Sequence, residues 1–393
     1  MSLRLRAVVF PLAFLVSLRM FGLFIAMPVL SIYGAKLEGA TSALVGLSIG
    51  IYGLAQICAQ IPMGFLADKI GRKPVIYMGL SLFTLGSIVA AMSDSIYGVL
   101  LGRLLQGTGA ISGAVLALIS DLTLEEHRTK SMAVVGMSIG LSFMLALFVG
   151  PYVANEFALH GIFWLTSILA ILGMAVCKWV VPDVIKGASR SDASLSDAFK
   201  HILSPWVFSL NLSVLFLHMT MSAVFFVLPL VLLNKLSIPL AGHGKIYLAF
   251  ILSSFLLIVP LVFYAERKRK IRFALLGSIA LIMLGLMVLQ RGDHYFMFAM
   301  AGAFLYFAGF NSMESLLPSM ISKEAPAALK GTVMGVFSTC QFLGAFLGGV
   351  LAGWISAHYG ITGVWFWLSI SAAIWFAIIF ALSFLAPKKV MVS

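Results

Sequence analysis

The stretch "GFLADKIGRK", Gly64 to Lys73, places four charged residues and two glycines between two long apolar runs. The chain around it has 393 residues, of which 61% are hydrophobic and only 10% are charged, with a mean hydropathy of +1.08. Soluble domains average about 25% charged residues. Because no soluble core hides this much apolar surface, the sequence predicts a chain whose solvent is lipid.

The apolar runs are long enough to cross a bilayer, since a spanning helix needs about 20 mostly apolar residues. Backbone groups in lipid must pair internally, and the runs lack the alternation of barrel strands, so we predict helices. The twelve expected spans are 8–33, 41–66, 74–92, 95–121, 130–155, 159–181, 205–233, 243–265, 272–290, 294–322, 330–355 and 359–386. The predicted fold class is an all-α polytopic membrane protein.

The formal net charge of +12 is distributed unevenly, which argues against a nucleic-acid partner. With the N-terminus placed in the cytoplasm, twenty lysines and arginines fall on the cytoplasmic side. Only four fall on the opposite side: Lys36, Lys235, Lys245 and Arg291. This bias is the positive-inside signal of membrane proteins, so we predict that both termini are cytoplasmic.

The sequence contains an internal repeat, in which similar motifs recur with an offset of about 200 residues. "IPMGFLAD" closes the second predicted span and "VPLVFYAE" closes the eighth, so that Pro62 matches Pro260 and Asp68 matches Glu266. We therefore predict two pseudo-symmetric six-helix halves, 1–181 and 205–393, joined by a cytoplasmic linker at 182–204. Transporters with such parallel repeats bind substrate near the membrane midplane, between the halves.

The opening stretch falls in the short loop between the second and third spans. Gly64 is expected to allow close helix contact, Gly71 a tight reversal, and Arg72 and Lys73 suit the cytoplasmic face. The loop resembles the signature loop of the major facilitator superfamily, which it matches at Gly64, Leu66, Ala67, Asp68, Gly71, Arg72 and Lys73.

Two further motifs strengthen this resemblance. "LGRLLQGTGA" in the fourth span is similar to the family motif built on an arginine, which is Arg103 here. "ALFVGPYVA" in the fifth span resembles the antiporter motif and keeps Gly150 and Pro151, although Ala146 replaces its leading glycine. The similarity is greatest to the twelve-span drug:proton antiporter group. A member of that group carries a soluble domain after the last span, whereas this chain ends at Ser393, so we expect no regulation by such a domain.

The resemblance implies that the charged loop is a gating latch. Asp68 and Arg72 would pair with Asp121 and Arg128, and Asp68 would face the positive N-terminus of the eleventh span. Such surface pairs contribute only about 0–1 kcal/mol each, but a network of them can bias two states separated by a few kcal/mol. The alternative is a static packing clamp.

Ionisable residues inside spans are costly and therefore functional candidates. Glu314 is the carboxylate deepest in an apolar run, which makes it the first candidate for proton coupling, with Asn311 on the same helix face. Arg19 needs a partner: a carbonyl, an anionic substrate group or Glu314. Arg103 is linked to proton transfer by the resemblance. His218 titrates near neutrality in ordinary surroundings. The alternatives are structural hydrogen bonding for Glu314 and His218, snorkelling for Arg19, and helix capping for Arg103.

Several polar and aromatic side chains in the spans are candidates for lining a substrate cavity. They are Gln56, Gln60, Asn211, Asn311, Gln341, Tyr33 and Phe225. The alternatives are that the polar ones join helices and that the aromatic ones face only lipid. The three cysteines lack metal or redox spacing, and no nucleotide loop or catalytic triad is present. We therefore expect no cofactor, no metal and no enzymatic activity.

Together these features predict a proton-coupled exporter of small amphiphilic compounds or metabolites that works by alternating access in a bacterial inner membrane. Its partners would be a small-molecule substrate, protons and membrane lipid, with no nucleic acid, and the protein would be a monomer. One alternative is a proton symporter for nutrient uptake. An alternative of another class is a non-transporting membrane receptor or assembly factor.

Overall fold

The structure is a computed structural model that describes residues 3–123, 125–182, 195–267, 270–292, 295–326 and 329–385. Helices account for nearly all of these residues, as the apolar runs predict. They are α1 Leu3–Tyr33, α2 Ser42–Ile70, α3 Arg72–Ala91, α4 Ile96–Thr108, α5 Ser112–Leu122, α6 Glu125–Trp179, α7 Leu195–Ile202, α8 Pro205–Leu230, α9 Leu240–Arg267, α10 Ile271–Leu289, α11 Phe296–Glu324 and α12 Lys330–Leu385. A π-helical turn, Val231–Lys235, extends α8.

Within the described ranges, ten segments are long and apolar enough to cross a membrane. Two of them are double length, because α6 has 55 residues and α12 has 56. Each is interrupted by a residue with positive φ, Ala158 at 53° and Gly360 at 67°. Counting each interrupted helix as two spans is consistent with the twelve predicted spans.

The fourth predicted span is confirmed as a candidate membrane span at Ile96–Ile119, but it is not one continuous helix. α4 ends at Thr108 and α5 begins at Ser112, so the helix breaks in the middle of the predicted span 95–121. At the break, a side chain on Gly109 would collide with the carbonyl oxygen of Gly79 in α3. The helix is therefore interrupted where glycine lets two backbones approach closely. Composition alone does not reveal this interruption.

The described chain divides into two compact units, residues 1–189 with 240–244 and residues 190–239 with 245–393. We call them the N-terminal unit and the C-terminal unit. The predicted linker 182–204 is not wholly irregular, because its last part contains α7, an eight-residue helix. Its residues 183–194 lie outside the described ranges.

Equivalent glycines bring equivalent helices together in each unit. A Cβ on Gly86 of α3 would lie 2.5 Å from the carbonyl oxygen of Gly102 in α4. A Cβ on Gly285 of α10 would lie 2.8 Å from the carbonyl oxygen of Gly302 in α11. Distances this short exclude larger residues, as is usual where membrane helices pack closely. The internal repeat is therefore visible in the helix contacts as well as in the motifs.

A second pair of equivalent contacts fixes the last helix of each unit. Lys73, in the first turn of α3, donates a hydrogen bond to the carbonyl oxygen of Val181 at 2.8 Å. Arg272, in the first turn of α10, donates to the carbonyl oxygen of Ser383 at 2.5 Å. Carbonyl groups at a helix C-terminus have no partner within their helix, and cations there are stabilising.

Candidate functional site: two buried polar clusters

The N-terminal unit contains a polar cluster around Arg19, which is only 2% exposed. The Arg19 guanidinium donates to the side-chain oxygen of Gln56 in α2, and also to the hydroxyl of Ser112 at 3.1 Å. Ser112 is the first residue of α5, just after the break in the fourth span. Of the alternatives from sequence, snorkelling of Arg19 is wrong, since its side chain is buried and hydrogen-bonded.

Arg103 continues this cluster from α4, where it is fully buried. Its Nη1 donates to the side-chain oxygen of Gln106 at 3.0 Å, and its Nε donates to the carbonyl oxygen of Ser48 at 3.3 Å. Gln106 in turn donates to the hydroxyl of Ser87 at 2.8 Å. The arginine of the family motif therefore ties α4 to α2 and, through Gln106, to α3.

Tyr52 connects the two arginines. The Arg103 guanidinium carbon lies 4.9 Å from the centroid of the Tyr52 ring, and that of Arg19 lies 5.5 Å from it. Both distances are within the range of cation–π attraction. No described carboxylate of the N-terminal unit lies within 4 Å of either guanidinium. The cluster therefore concentrates positive charge in a buried place.

The C-terminal unit contains a second cluster, around His218 of α8. The His218 Nδ1 lies 3.1 Å from the carbonyl oxygen of Val214, and its Nε2 lies 2.8 Å from the amide nitrogen of Gln341 in α12. Because a carbonyl only accepts, Nδ1 carries the proton, and the neutral ring accepts from Gln341 at Nε2.

Glu314 of α11 completes this cluster. Its Oε2 lies 3.7 Å from His218 Nε2, within ion-pair range but beyond a hydrogen bond. The Glu314 side chain is 41% exposed, whereas that of His218 is 5% exposed. The structure thus brings together three predicted site residues from three helices, with an accessible carboxylate beside a buried imidazole.

Two other candidate residues in the C-terminal unit make structural contacts. The side-chain amide of Asn311 donates to the hydroxyl of Ser254 at 2.9 Å, which joins α11 to α9. Phe225 is fully buried, with its ring 6.0 Å from those of both Tyr247 and Phe307. Phe225 therefore packs within an aromatic core of this structure.

Three further cavity candidates have few contacts. Asn211 is buried in α8, and neither its amide nitrogen nor its oxygen has a hydrogen-bond partner among the described residues. The Gln60 side-chain oxygen is likewise buried without a donor in the described part of the chain. Buried side-chain amide groups without a partner, as at Asn211 and Gln60, are suited to binding a water or a ligand. The third candidate, Tyr33, has its ring under the Lys36 ammonium group at 4.8 Å.

The charged loop forms an ion-pair network between α2, α3 and α5. Arg72 contacts Asp68 at 2.5 Å and Asp121 at 3.5 Å. Gly71 has φ of 102°, a conformation that favours glycine. A Cβ on Gly64 would meet no atom of the described residues within 4 Å, so the close helix contact expected there is not present in this part of the chain. The side chain of Arg128, the fourth predicted member of the latch, lies outside what the structure describes.

The antiporter-like motif lies where α6 crosses α1. A Cβ on Gly150 would lie 2.9 Å from the carbonyl oxygen of Ile25, so the two helices approach closely at this glycine. Pro151 follows inside α6. Proline inside a helix removes one backbone hydrogen bond and favours a bend.

Sequence reasoning missed four serines that accept hydrogen bonds from the side chains of predicted site residues or their neighbours in the clusters. Ser48 and Ser87 accept hydrogen bonds from the side chains of Arg103 and Gln106, while Ser112 and Ser254 accept from those of Arg19 and Asn311. For Ser48 the acceptor is its backbone carbonyl, which no sequence pattern reveals. The other three could have been noticed only as small polar residues within apolar runs. Such residues are too common in membrane helices to identify a particular site.

Comparisons with known proteins identify the class to which these features belong. The sequence profile of the Major Facilitator Superfamily matches residues 12–349. The chain therefore belongs to this superfamily, and it is a multi-pass membrane transporter and not an enzyme.

Particular relatives refine this placement. The inner membrane transport protein YajR of Escherichia coli is 45% identical over 364 residues, which cover 92% of this chain and 80% of YajR. The quinolone resistance protein NorA of Staphylococcus aureus is 24% identical over 88% of this chain and 89% of NorA. A bacterial homologue of the human lysosomal transporter Spinster, solved in an inward-facing state, has the same fold, with a TM-score of 0.80 at 12% identity over 98% of both chains.

Proposed function

We propose that this transporter is a proton-coupled exporter of small amphiphilic compounds or metabolites, working by alternating access of its two six-helix halves. The observation that carries the proposal is the cluster of Glu314, His218 and Gln341. It contains two groups that exchange protons, and they lie side by side on different helices.

The cluster supports two arrangements that differ by one proton. With His218 neutral, its Nε2 accepts from Gln341, which joins α8 to α12. A proton that enters through the more exposed Glu314 and moves to Nε2 turns this atom into a donor. The imidazolium then attracts the Glu314 carboxylate and has no lone pair left for the Gln341 amide. Proton binding therefore adds an α8–α11 attraction and requires the Gln341 amide to turn its oxygen towards Nε2 or to lose the α8–α12 contact. A change of this kind couples a ligand to a conformation.

Two observations favour export. One relative, NorA, is named for resistance to quinolones. In addition, the glycine and proline of the antiporter-like motif lie at the crossing of α6 and α1. One proton moving through 100 mV supplies about 2.3 kcal/mol, enough for roughly a fifty-fold gradient of a neutral substrate.

The charged loop would act as the gate. The contacts of Arg72 with Asp68 and Asp121 hold α2, α3 and α5 together on the predicted cytoplasmic face. Breaking them would cost little, because Asp68 is 67% exposed and surface pairs contribute about 0–1 kcal/mol. A small bias of this kind is sufficient when two states are separated by a few kcal/mol.

The proposed setting is the bacterial inner membrane, with both termini cytoplasmic and the protein a monomer. The support is the positive-inside distribution of lysine and arginine and the inner-membrane relative YajR. Labelling of single cysteines introduced at position 2 and position 291 of a cysteine-free variant tests it, because an impermeant reagent should reach only position 291 from outside intact cells.

The deciding experiment measures proton movement in everted membrane vesicles. Respiration acidifies the vesicle interior, a quenched dye reports it, and compounds are added one at a time, beginning with quinolones. Proton antiport predicts a recovery of fluorescence with a substrate, which Glu314→Gln abolishes and Glu156→Gln leaves intact. Glu156 is the matched control because it is an exposed carboxylate in the N-terminal unit.

The other functions give different results in this experiment. Proton entry driven by a substrate in right-side-out vesicles, with no recovery in everted ones, would identify an uptake symporter. A cellular phenotype of the deleted gene that Glu314→Gln fully complements would instead point to a receptor or assembly factor. Either result would overturn the exporter proposal.

A further inference from the structure

The N-terminal unit buries two guanidinium groups without a described acidic partner in that unit. Arg19 is 2% exposed and Arg103 is fully buried, and the hydrogen-bond acceptors described for them are neutral oxygens. Burying a cation is costly unless it is paired with an opposite charge. Their hydrogen-bonding capacity is also not used up, since Arg19 Nε and Arg103 Nη2 find no acceptor among the described residues.

The break in the fourth span adds a third source of positive potential at the same place. α5 begins at Ser112, and its N-cap position, Ile111, provides no side-chain cap. The first backbone N–H groups of a helix lack partners within the helix and carry partial positive charge. Arg19 contacts this helix end directly, through its hydrogen bond to the Ser112 hydroxyl.

The first turn of α5 is open on the side of Gly113. Gly113, the second residue of α5, is exposed, and a Cβ added to it would meet nothing within 4 Å. An interrupted membrane helix whose N-terminal end faces the anionic group of a substrate is an arrangement that transporters use. The arginines, the open position and the helix end therefore have the chemistry of an anion site.

We propose that Arg19, Arg103 and the N-terminus of α5 form a binding site for an anionic group, a carboxylate or a phosphate, carried by the transported compound. This inference rests on the proposed function, because it names the substrate class of that transporter. Gln56 accepts a hydrogen bond from Arg19, and both guanidinium groups lie within cation–π range of the ring of Tyr52. A neutral or cationic compound would leave the two buried charges uncompensated.

The test is thermal unfolding of the purified protein in detergent, with small probes that fit a narrow site. Benzoate and inorganic phosphate are compared with neutral benzamide, and dioctanoyl phosphatidic acid represents a lipid headgroup. Ligands that bind the folded state raise the unfolding temperature. We expect a rise with benzoate or phosphate, none with benzamide, loss of the rise in Arg19→Gln, and its retention in Arg291→Gln, which removes an exposed arginine.

Several outcomes would overturn the proposal. They are equal shifts with benzoate and benzamide, no shift with either small anion, an undiminished shift in Arg19→Gln, or a shift only with phosphatidic acid, which would mark a lipid site. If Arg19→Gln does not fold, Arg103→Lys replaces it, since lysine keeps the charge but loses the planar fork and should weaken the shift. No proton gradient is present, so this result is independent of the Glu314→Gln vesicle test.

Discussion

The polar cluster of the N-terminal unit is built on two arginines, whereas that of the C-terminal unit is built on a histidine and a glutamate. Arg19 and Arg103 are hydrogen-bonded to neutral oxygens and carry a fixed charge. His218 and Glu314 lie 3.7 Å apart, and both change charge with protonation. One unit therefore offers a permanent positive potential and the other a charge that a proton can alter.

The scaffold around these clusters is nevertheless the same. The glycine contacts between α3 and α4 recur between α10 and α11, and both double-length helices break at a residue with positive φ. Duplication therefore repeated the helix packing, while the two clusters acquired different chemistry. In the function proposed above, the N-terminal unit binds the charged part of the substrate and the C-terminal unit handles the proton.

The largest effect is expected when the imidazole of His218 is removed, and this variant tests directly whether the two clusters differ in function. We expect His218→Gln to reduce substrate-driven proton movement in everted vesicles by about a hundredfold, the low end of what a positioned proton-transfer group contributes. The control is His160→Gln in the N-terminal unit. His160 also contacts a carbonyl, that of Ala91 at 2.8 Å, and a carboxylate, that of Asp94 at 3.5 Å, but it is 40% exposed. Equal losses in both variants would contradict a proton role confined to the C-terminal unit.

The shared scaffold predicts equal damage at equivalent glycines. Gly86→Leu and Gly285→Leu should each lower the free energy of unfolding by about 1–3 kcal/mol, because a side chain at either position overlaps a facing backbone. Unfolding of the purified protein in increasing denaturant measures this loss. Gly136→Leu and Gly277→Leu are the matched controls, since a Cβ at these positions meets nothing within 4 Å. A large loss in one unit only would show that the packing is not equivalent.

The charge of each cluster predicts how much its glutamine contributes to the free energy of unfolding. Gln56→Leu removes one of the two side-chain acceptors of the buried Arg19 and should cost about 1.5–3 kcal/mol, as for hydrogen bonds to charged groups. Gln341→Leu removes a bond to a neutral imidazole and should cost about 0.5–1.5 kcal/mol. The same denaturant experiment compares the two variants above neutral pH. A larger loss for Gln341→Leu would contradict the link between the charge of a cluster and the stability that its glutamine contributes.

The smallest effect is expected at the charged loop. Asp68→Asn should change the free energy of unfolding by no more than about 1 kcal/mol, and the change should shrink at high salt, because the pair with Arg72 is exposed. Stability is measured at low and high salt, and transport is measured in parallel. A strong transport defect with unchanged stability would support gating, whereas a parallel loss of both would support a packing clamp.

The fold could be predicted from the sequence where composition determines it. The prediction failed where contacts between the backbones of different helices determine it. Apolar runs located the helices, and the breaks at Ala158 and Gly360 fall near predicted boundaries. The break after Thr108 was missed because its residues are as apolar and small as those of an unbroken helix. What distinguishes it is the approach of Gly109 to Gly79, a contact between helices.

The candidate residues were found individually, but their partners were not. Arg19 was expected to meet a carbonyl, a substrate or Glu314, and the structure pairs it with Gln56 and Ser112. His218 and Glu314 are 96 residues apart in the chain, and helical periodicity relates only neighbours on one helix. Which faces meet depends on the packing of six helices, so residue types indicated the chemistry and the fold supplied the pairing.

The hydrogen bond from Lys73 to Val181 has a mechanical consequence. Val181 follows α6, the last helix of the first half, and immediately precedes Pro182. Lys73 belongs to the charged loop between the second and third spans. The end of the first half is therefore anchored by one hydrogen bond to the residue next to Arg72, so that a displacement of the chain at Val181 would act directly beside the ion pairs of the charged loop.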